Sequence, residues 1–324
     1  MTRASAAESP AGELDARRGI GIVVANAPVS YGAFELTVGI DPDVPDGTRV
    51  LDEVAAAGYA GIDLGPVGYL GAGEELGRRL AERGLGLAGA YLELPYADHA
   101  ELLRALPQLD AMLDTFDAVA PLVGGPALRP TLADKGSDAR RARPGGAVRD
   151  RGLGLDGEQW RRFGEGLAQV VRRCRARGYE PTFHHETGSF VEAPWEIERV
   201  LELSDIGLCL DTGHFLLTGG DPVRALSDWG GRINHVHLKD ARRSVMDAII
   251  SDGGSVAEIW PREAFPRLGQ GDLDVDSFLA ALRRDGYLGW LVVEQDSFPQ
   301  TAERFERAAA DQRANREFLA RRGL

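Results

Sequence analysis

The chain has 324 residues, of which 44% are hydrophobic and 27% are charged, the proportions of an ordinary globular protein. Its formal net charge is −13 at pH 7, and because an acidic surface repels phosphate backbones, we expect no nucleic-acid partner. No apolar run approaches the roughly 18 residues of a membrane span, so we expect no membrane partner either.

Residues 1–19 are mostly small and polar, lack a signal-peptide pattern and are predicted to be a disordered tail. After this tail, predicted strands and helices alternate along the chain. A single domain is predicted over 20–324. The predicted strands cover residues 19–27, 61–64, 85–92, 118–123, 181–185, 206–210, 232–238 and 288–293. The predicted helices cover residues 47–57, 74–82, 98–114, 158–177, 194–203, 222–229, 275–284 and 301–322.

Two long polar stretches, 124–157 and 241–271, have no clear period and are predicted to be loops. Eight repeats of strand and helix predict an α/β fold, a closed (β/α)8 TIM barrel. The alternative is an open doubly wound sheet, which requires a glycine-rich phosphate loop after the first strand. The sequence at 26–32, NAPVSYG, is no such loop. The two cysteines, Cys174 and Cys209, lie in predicted elements without C-x-x-C spacing, which favours reduced, buried thiols and a cytoplasmic setting.

Acidic and imidazole side chains follow three of the predicted strands. Asp211, His237 and Glu294 come at the carboxyl ends of strands six, seven and eight. In a parallel barrel these ends open on one face, where active sites are built. Carboxylates and imidazole together predict a site for a divalent metal, Mn²⁺ first, with Co²⁺, Mg²⁺ or Zn²⁺ as alternatives.

A fourth ligand is expected from the end of strand five. Alternate side chains of a strand share a face, so His184 and Glu186 are predicted to point the same way. We take Glu186 as the metal ligand, with His184 as the alternative. Both are also candidates for the catalytic base, since a base must lie beside the bound substrate.

Further candidates lie close to the predicted ligands. His214 is interpreted as a substrate contact or proton shuttle, or as a loop histidine that caps a carbonyl. Lys239 either stabilises an oxyanion or is a charge at the rim, paired with Asp240. His235 shares a strand face with His237 and is assigned to substrate binding. Near the ends of the first three strands, Glu35, Asp63 and Glu93 are either polyol contacts or ordinary rim polarity. Tyr91 either forms a wall of the pocket on which a sugar stacks or is a core residue.

The sequence resembles the xylose isomerase-like TIM barrels, and among them the inosose dehydratases in particular. The resemblance is carried by 184–189 (HHETGS), 207–214 (GLCLDTGH), 235–240 (HVHLKD) and 286–296 (GYLGWLVVEQD). It implies a divalent metal held by Glu, Asp, His and Glu from four strands. Asp211, His237 and Glu294 match the last three of these positions, whereas the first falls on His184, with Glu186 two residues further on.

The resemblance implies a metal-dependent lyase or isomerase that acts on a keto-sugar or cyclitol through an enediolate. We expect dehydration of an inosose-like ketone, with Glu294, His214 and Lys239 joining His184 and Glu186 as catalytic residues. The alternative is a sugar isomerase or 3-epimerase of the tagatose-epimerase or hydroxypyruvate-isomerase type. A nuclease like endonuclease IV and a non-catalytic sugar-binding barrel rank below these. The expected partner is a small polyol or keto-sugar, and a homo-oligomer remains open.

Overall fold

The computed structural model describes residues 21–298 and 302–324, and the predicted tail at 1–19 lies outside them. Its strands form one parallel sheet in the order β3-β2-β1-β9-β8-β7-β6-β5-β4. They are β1 (Ile22–Asn26), β2 (Gly61–Ile62), β3 (Gly86–Leu87), β4 (Gly89–Leu94), β5 (Arg129–Asp134), β6 (Thr182–His184), β7 (Gly207–Asp211), β8 (Ile233–Leu238) and β9 (Gly289–Val293). Only Ala88 separates β3 from β4, so the two ends of the sheet meet and the nine strands form a nearly closed barrel. The predicted TIM barrel and its single domain are confirmed.

The helices lie mainly between consecutive strands. They are α1 (Gly47–Ala56), α2 (Gly73–Glu82), α3 (His99–Val119), α4 (Asp138–Arg141), α5 (Gly157–Ala176), α6 (Pro194–Leu203), α7 (Thr212–Leu217), α8 (Pro222–Trp229), α9 (Arg243–Ser251), α10 (Val275–Arg284) and α11 (Ala302–Ala320). The predicted bounds of α6, α8 and α10 agree with the structure because proline or a capping aspartate marks each start. No helix in the described ranges is both long and apolar enough to cross a membrane.

Two predictions about the middle of the chain were wrong. The strand predicted at 118–123 does not exist there, because α3 continues to the buried Val119 and a turn follows it. The real strand, β5, lies inside the predicted loop at 124–157 and reads RPTLAD, without a continuous apolar run. The second predicted loop, 241–271, contains α9.

A tryptophan and small side chains fill the lower part of the barrel. Trp290 is 2% exposed, and a Cβ atom on Gly61, Gly86 or Gly125 would come within 2.6, 2.8 or 2.5 Å of its ring. These three positions therefore exclude any side chain beside the indole. The same apolar cluster contains Ala25, Ala27, Ala88 and Val292. The acidic and imidazole side chains that follow the strands lie at the opposite end of the barrel.

Candidate active site

Three of the predicted ligands come together at the carboxyl ends of β7, β8 and β9. One ligand atom from each of Asp211, His237 and Glu294 lies within 4.8 Å of the others, and all three side chains are buried. His237 Nδ1 is 3.3 Å from Glu294 Oε2 and 3.8 Å from Asp211 Oδ2. Within the described part of the chain, Asp211 Oδ2 and His237 Nδ1 have no hydrogen bond. Buried polar atoms left in this way fit a bound cation, because such atoms are otherwise satisfied.

Local structure fixes the orientation of Asp211. Its Oδ1 caps α7 by accepting hydrogen bonds from the backbone N–H groups of Gly213 at 2.8 Å and His214 at 2.9 Å. The other oxygen, Oδ2, therefore points into the barrel. A neighbouring carboxylate also holds the imidazole of His237, since Asp63 Oδ2 lies 3.5 Å from Nε2. This contact favours a proton on Nε2 and leaves Nδ1 free to bind a metal.

His184, rather than Glu186, lies next to this group. His184 Nε2 is 3.5 Å from Asp211 Oδ2, and the centroid of its ring is 5.0 Å from that of His237. The carboxylate of Glu186 instead contacts the hydroxyl of Tyr91. The prediction that Glu186 would join the ligands does not match this geometry, because β6 ends at His184 and, among the described residues, the carboxylate of Glu186 is not in the group formed by Asp211, His237 and Glu294.

The loop after β6 holds Glu186 in place. The backbone N–H of Glu186 donates to Val191 O at 3.0 Å. The carboxylate of Glu192 accepts from Gly188 N–H at 2.7 Å and forms a 3.0 Å ion pair with Arg140. Both of these charged side chains are buried, so removing one would leave an unpaired charge and destabilise the loop.

Lys239 occupies the centre of the carboxylates and is 2% exposed. Its Nζ lies 3.3 Å from Asp211 Oδ2, 3.0 Å from Glu294 Oε2 and 2.7 Å from Asp296 Oδ1. The alternative of a rim charge paired with Asp240 is wrong, because the oxygens of Asp240 accept backbone N–H groups of the 269–273 loop. A buried ammonium at this position adds fixed positive charge to the site.

His214 is a neutral imidazole in contact with this lysine. Burial and then the charge of Lys239 hold the pKa of His214 well below its usual value. Its Nε2 lies 3.3 Å from Lys239 Nζ, and its Nδ1 lies 3.1 Å from Thr187 Oγ1. Because the ammonium can only donate, Nε2 accepts and the ring proton belongs on Nδ1. The backbone N–H of His214 donates to Asp211, and the imidazole of His214 lies beside the site against Lys239 and Thr187.

A second polar group lies on β4 and the loop after β6. The hydroxyl of Tyr91 contacts the carboxyls of both Glu186 and Glu93, the latter at 3.0 Å. A phenol has one proton to donate, so one of the two carboxyls must itself be protonated to complete both contacts. Burial, followed by the charge of Glu93, raises the pKa of Glu186 to about 8. Glu186 is therefore the member of this group that holds a proton at neutral pH.

The two polar groups face a common cleft with an empty volume of about 640 Å³. Among the predicted site residues, those that line it are Glu35, Asp63, Tyr91, His184, Glu186, His214, His237, Lys239 and Glu294. Glu93 reaches it only through Tyr91. His235 does not line the cleft. His235 is fully buried, and its ring centroid lies 5.3 Å from that of His237. It precedes His237 by two residues on the same strand, so its side chain lies one layer deeper in the barrel.

Two residues at the cleft were missed by the sequence reasoning. Asp296 contacts Lys239 and is buried, and the alternation that places Glu294 inward also applies two residues later. Trp260 lines the cleft from the loop after β8. Nothing in the period of that loop distinguishes Trp260 from a core residue, because its position is set by packing against distant segments.

Comparison with known proteins agrees with the fold. The chain belongs to the xylose isomerase-like TIM barrel family, whose model matches residues 51–321. Inosose dehydratase 2 of Bacillus cereus is 33% identical over 154 residues, which cover 47% of this chain and 52% of that protein. The chain thus spans about half the length of that relative. The rhizopine catabolism protein MocC of Rhizobium meliloti is 32% identical over 259 residues, which cover 78% and 76% of the two chains.

Solved structures show the same fold at low identity. An L-ribulose 3-epimerase matches with a TM-score of 0.63 and 18% identity, over 92% of this chain and 93% of that one. The IolI protein with a bound zinc atom matches with a TM-score of 0.64 and 14% identity, over 91% of this chain and 97% of that one. The proteins that this chain resembles therefore include carbohydrate dehydratases and epimerases.

Proposed function

We propose that this protein is a metal-dependent enzyme that dehydrates an inosose-like ketone, a cyclic polyol that carries one carbonyl group. The observation that carries the proposal is the buried group of Asp211, His237 and Glu294 at the carboxyl end of the barrel. In a TIM barrel this end is where catalysis takes place. The relatives named inosose dehydratase support the reaction class.

The donor set fits one divalent cation with His184 as the fourth ligand. Two carboxylates and two imidazoles suit Mn²⁺, Co²⁺ or Zn²⁺, whereas Mg²⁺ prefers a shell made almost entirely of oxygen. Mn²⁺ is our first choice. The zinc atom in the related fold of IolI supports a divalent metal in a barrel of this kind. A bound cation would supply Lewis-acid polarisation of the substrate carbonyl.

The surrounding side chains provide the remaining parts of a dehydration. Lys239 stabilises the negative charge that develops on the carbonyl oxygen. Asp296 or His214, both in contact with Lys239, removes the proton from the carbon next to the carbonyl. Glu186 donates its proton to the hydroxyl on the following carbon. One C–H bond and one C–O bond break, a C=C bond forms, and the hydroxyl leaves as water with the proton from Glu186.

Isomerisation or 3-epimerisation is the second candidate, because the same groups can return a proton instead of expelling a hydroxyl. The pair of polar groups at the cleft, one around Lys239 and one around Tyr91, provides two separate sites for proton transfer. The fold shared with an L-ribulose 3-epimerase is compatible with this reaction. The two candidates differ in whether the product has lost water.

The test uses the Mn²⁺-loaded protein in deuterated water with a panel of inososes, ketohexoses and keto-glycosides. Dehydration predicts an unsaturated ketone detected by its ultraviolet absorbance and by mass. Epimerisation predicts deuterium next to the carbonyl without loss of water. Asp211→Ala is expected to abolish both metal binding and turnover, and Asp205→Ala, at an exposed aspartate, is the control. Full activity of metal-stripped Asp211→Ala protein would refute the assignment.

A further inference from the structure

A larger cavity, which we call the outer groove, adjoins the cleft. It has an empty volume of about 1720 Å³, compared with about 640 Å³ for the cleft. The two cavities share five lining residues: Phe34, Glu35, Tyr91, Glu186 and Trp260. A ligand bound at the carboxylates of the cleft therefore lies next to the outer groove, on the side where Tyr91 and Trp260 line both cavities.

Aromatic side chains form the boundary between the two cavities. The ring centroid of Trp260 lies 5.9 Å from that of Phe34 and 6.3 Å from that of Phe298, and Phe34 meets Phe298 edge-on at 5.4 Å. These residues come from the loops after β8, β1 and β9. Contacts among three separate loops hold Trp260 in place while its half-buried ring still lines both cavities. Such a ring offers an apolar face with a polar edge to a ligand that spans the boundary.

The outer groove is polar and close to neutral. Its basic side chains are Arg104, Lys135 and Arg141, and its carboxyls are Glu35, Glu93, Glu101 and Glu186. Arg104 pairs with Glu101, and Arg141 pairs with Asp138. Because positive and negative groups are balanced, the groove does not select an anion such as phosphate. A mixture of donors and acceptors suits the hydroxyl groups of an uncharged sugar.

We propose that the outer groove binds a second, uncharged sugar unit attached to the keto ring, so that the substrate is a glycoside of a keto-polyol. This inference rests on the proposed function of the cleft. Arg104 and Gln108 lie four residues apart on α3, on the same face of that helix, and both line the outer groove but not the cleft. They are the side chains whose removal tests the groove without altering the cleft.

Two probes that differ only in the second unit test the proposal. Methyl 3-keto-α-D-glucoside carries the keto ring alone, and 3-ketosucrose adds a fructosyl unit. In titration calorimetry with Mn²⁺-loaded protein, we expect 3-ketosucrose to bind roughly tenfold more tightly, the equivalent of one or two added hydrogen bonds. The double variant Arg104→Ala with Gln108→Ala is expected to lose most of this preference, with the affinity for the methyl glycoside unchanged.

Arg199→Ala is the matched control, because Arg199, like Arg104, pairs with a glutamate three residues away on its own helix but lines neither cavity. It is expected to keep the preference. Equal affinities for the two probes, or no binding of either, would overturn the outer subsite. Deuterium exchange measured on the same samples tests the cleft separately. Exchange without a binding preference leaves the proposed function intact, and a preference without exchange on any keto substrate refutes the proposed function alone.

Discussion

Two groups of carboxyls face the same cleft, and they hold their protons differently. Burial by itself would raise the pKa of Asp211, but the charge of Lys239 holds it well below its usual value. The pKa of Glu294 is likewise lowered, against the effect of burial, by His237 and Lys239. On β4 and the loop after β6, the carboxyl of Glu186 instead contacts the neutral hydroxyl of Tyr91, and burial raises the pKa of Glu186 to about 8. One group is therefore ionised and ready for a metal, while the other carries a proton.

The difference follows from where a single lysine lies. Residue type does not distinguish the two groups, because both consist of carboxyls. Lys239 contacts three carboxylates directly, whereas Tyr91 offers Glu93 and Glu186 only a neutral hydroxyl. Titratable groups whose pKa values are shifted in opposite directions in this way identify the acid and the anion of an active site. The substitutions Lys239→Met, Glu186→Gln and Tyr91→Phe each remove one part of this arrangement.

The largest effect is expected from Lys239→Met. The substitution keeps the volume of the side chain but leaves the carboxylates of Asp211, Glu294 and Asp296 buried without their shared cation. Losing one partner of a buried ion pair typically costs about 3–5 kcal/mol, and we expect a loss of that size in the free energy of unfolding of metal-free protein. Urea titration measures it.

Added Mn²⁺ is expected to restore part of the stability lost in Lys239→Met, because a cation between the carboxylates replaces some of the missing charge. Lys135→Met is the control, since Lys135 is an exposed lysine outside the ion-pair group. A loss no larger than that of the control would show that Lys239 does not hold the carboxylates in their charged form.

A smaller effect is expected from Glu186→Gln. The amide cannot donate an acidic proton to a departing hydroxyl, so kcat is expected to fall roughly a hundredfold, the lower end of the range for a general acid. Metal content is expected to stay unchanged because Glu186 does not contact the three ligands. Unchanged kcat with full metal content would remove Glu186 from the reaction.

The pH dependence of wild-type protein gives a second measurement at the same residue. Since the proposed acid is active when protonated, kcat is expected to fall as pH rises through about 8, and Glu186→Gln is expected to lose this limb. The folded state binds this proton more tightly than the unfolded state does. Stability of the wild type relative to Glu186→Gln therefore decreases as pH rises from the ordinary glutamate pKa toward about 8.

The sequence predicted the half of the barrel that holds the ligands better than the half that does not. Asp211, His237 and Glu294 follow apolar strands, so their shared position could be derived from strand alternation and the direction of a parallel barrel. β5 contains arginine, proline, threonine and aspartate, and its strand structure depends on its neighbours in the sheet rather than on an apolar pattern. A strand of this kind cannot be recognised from its own residues.

The choice between His184 and Glu186 also depended on geometry that the sequence does not contain. Strand alternation places both on one face, but β6 ends at His184, and Glu186 follows the loop toward Tyr91. The contact between Lys239 and Asp296 joins two neighbouring strands at a distance set by their register. Contacts between side chains on different strands can be identified only from the three-dimensional structure of the barrel.

The smallest effect is expected from Tyr91→Phe, which removes the neutral hydrogen bond between the two carboxyls of the protonated group. The free energy of unfolding is expected to decrease by about 1 kcal/mol. Because the hydroxyl of Tyr91 lowers the pKa of Glu186, its loss is also expected to move the alkaline limb of kcat to higher pH. Urea titration and a pH–rate profile measure the two effects.

Tyr96→Phe provides the control for Tyr91→Phe. Tyr96 is also a buried tyrosine, but within the described residues its hydroxyl has no hydrogen-bond partner. Its removal is therefore expected to leave stability nearly unchanged and the pH–rate profile in place. If Tyr91→Phe behaves like this control, the hydroxyl of Tyr91 does not connect Glu93 with Glu186, and the proton on Glu186 depends on burial alone.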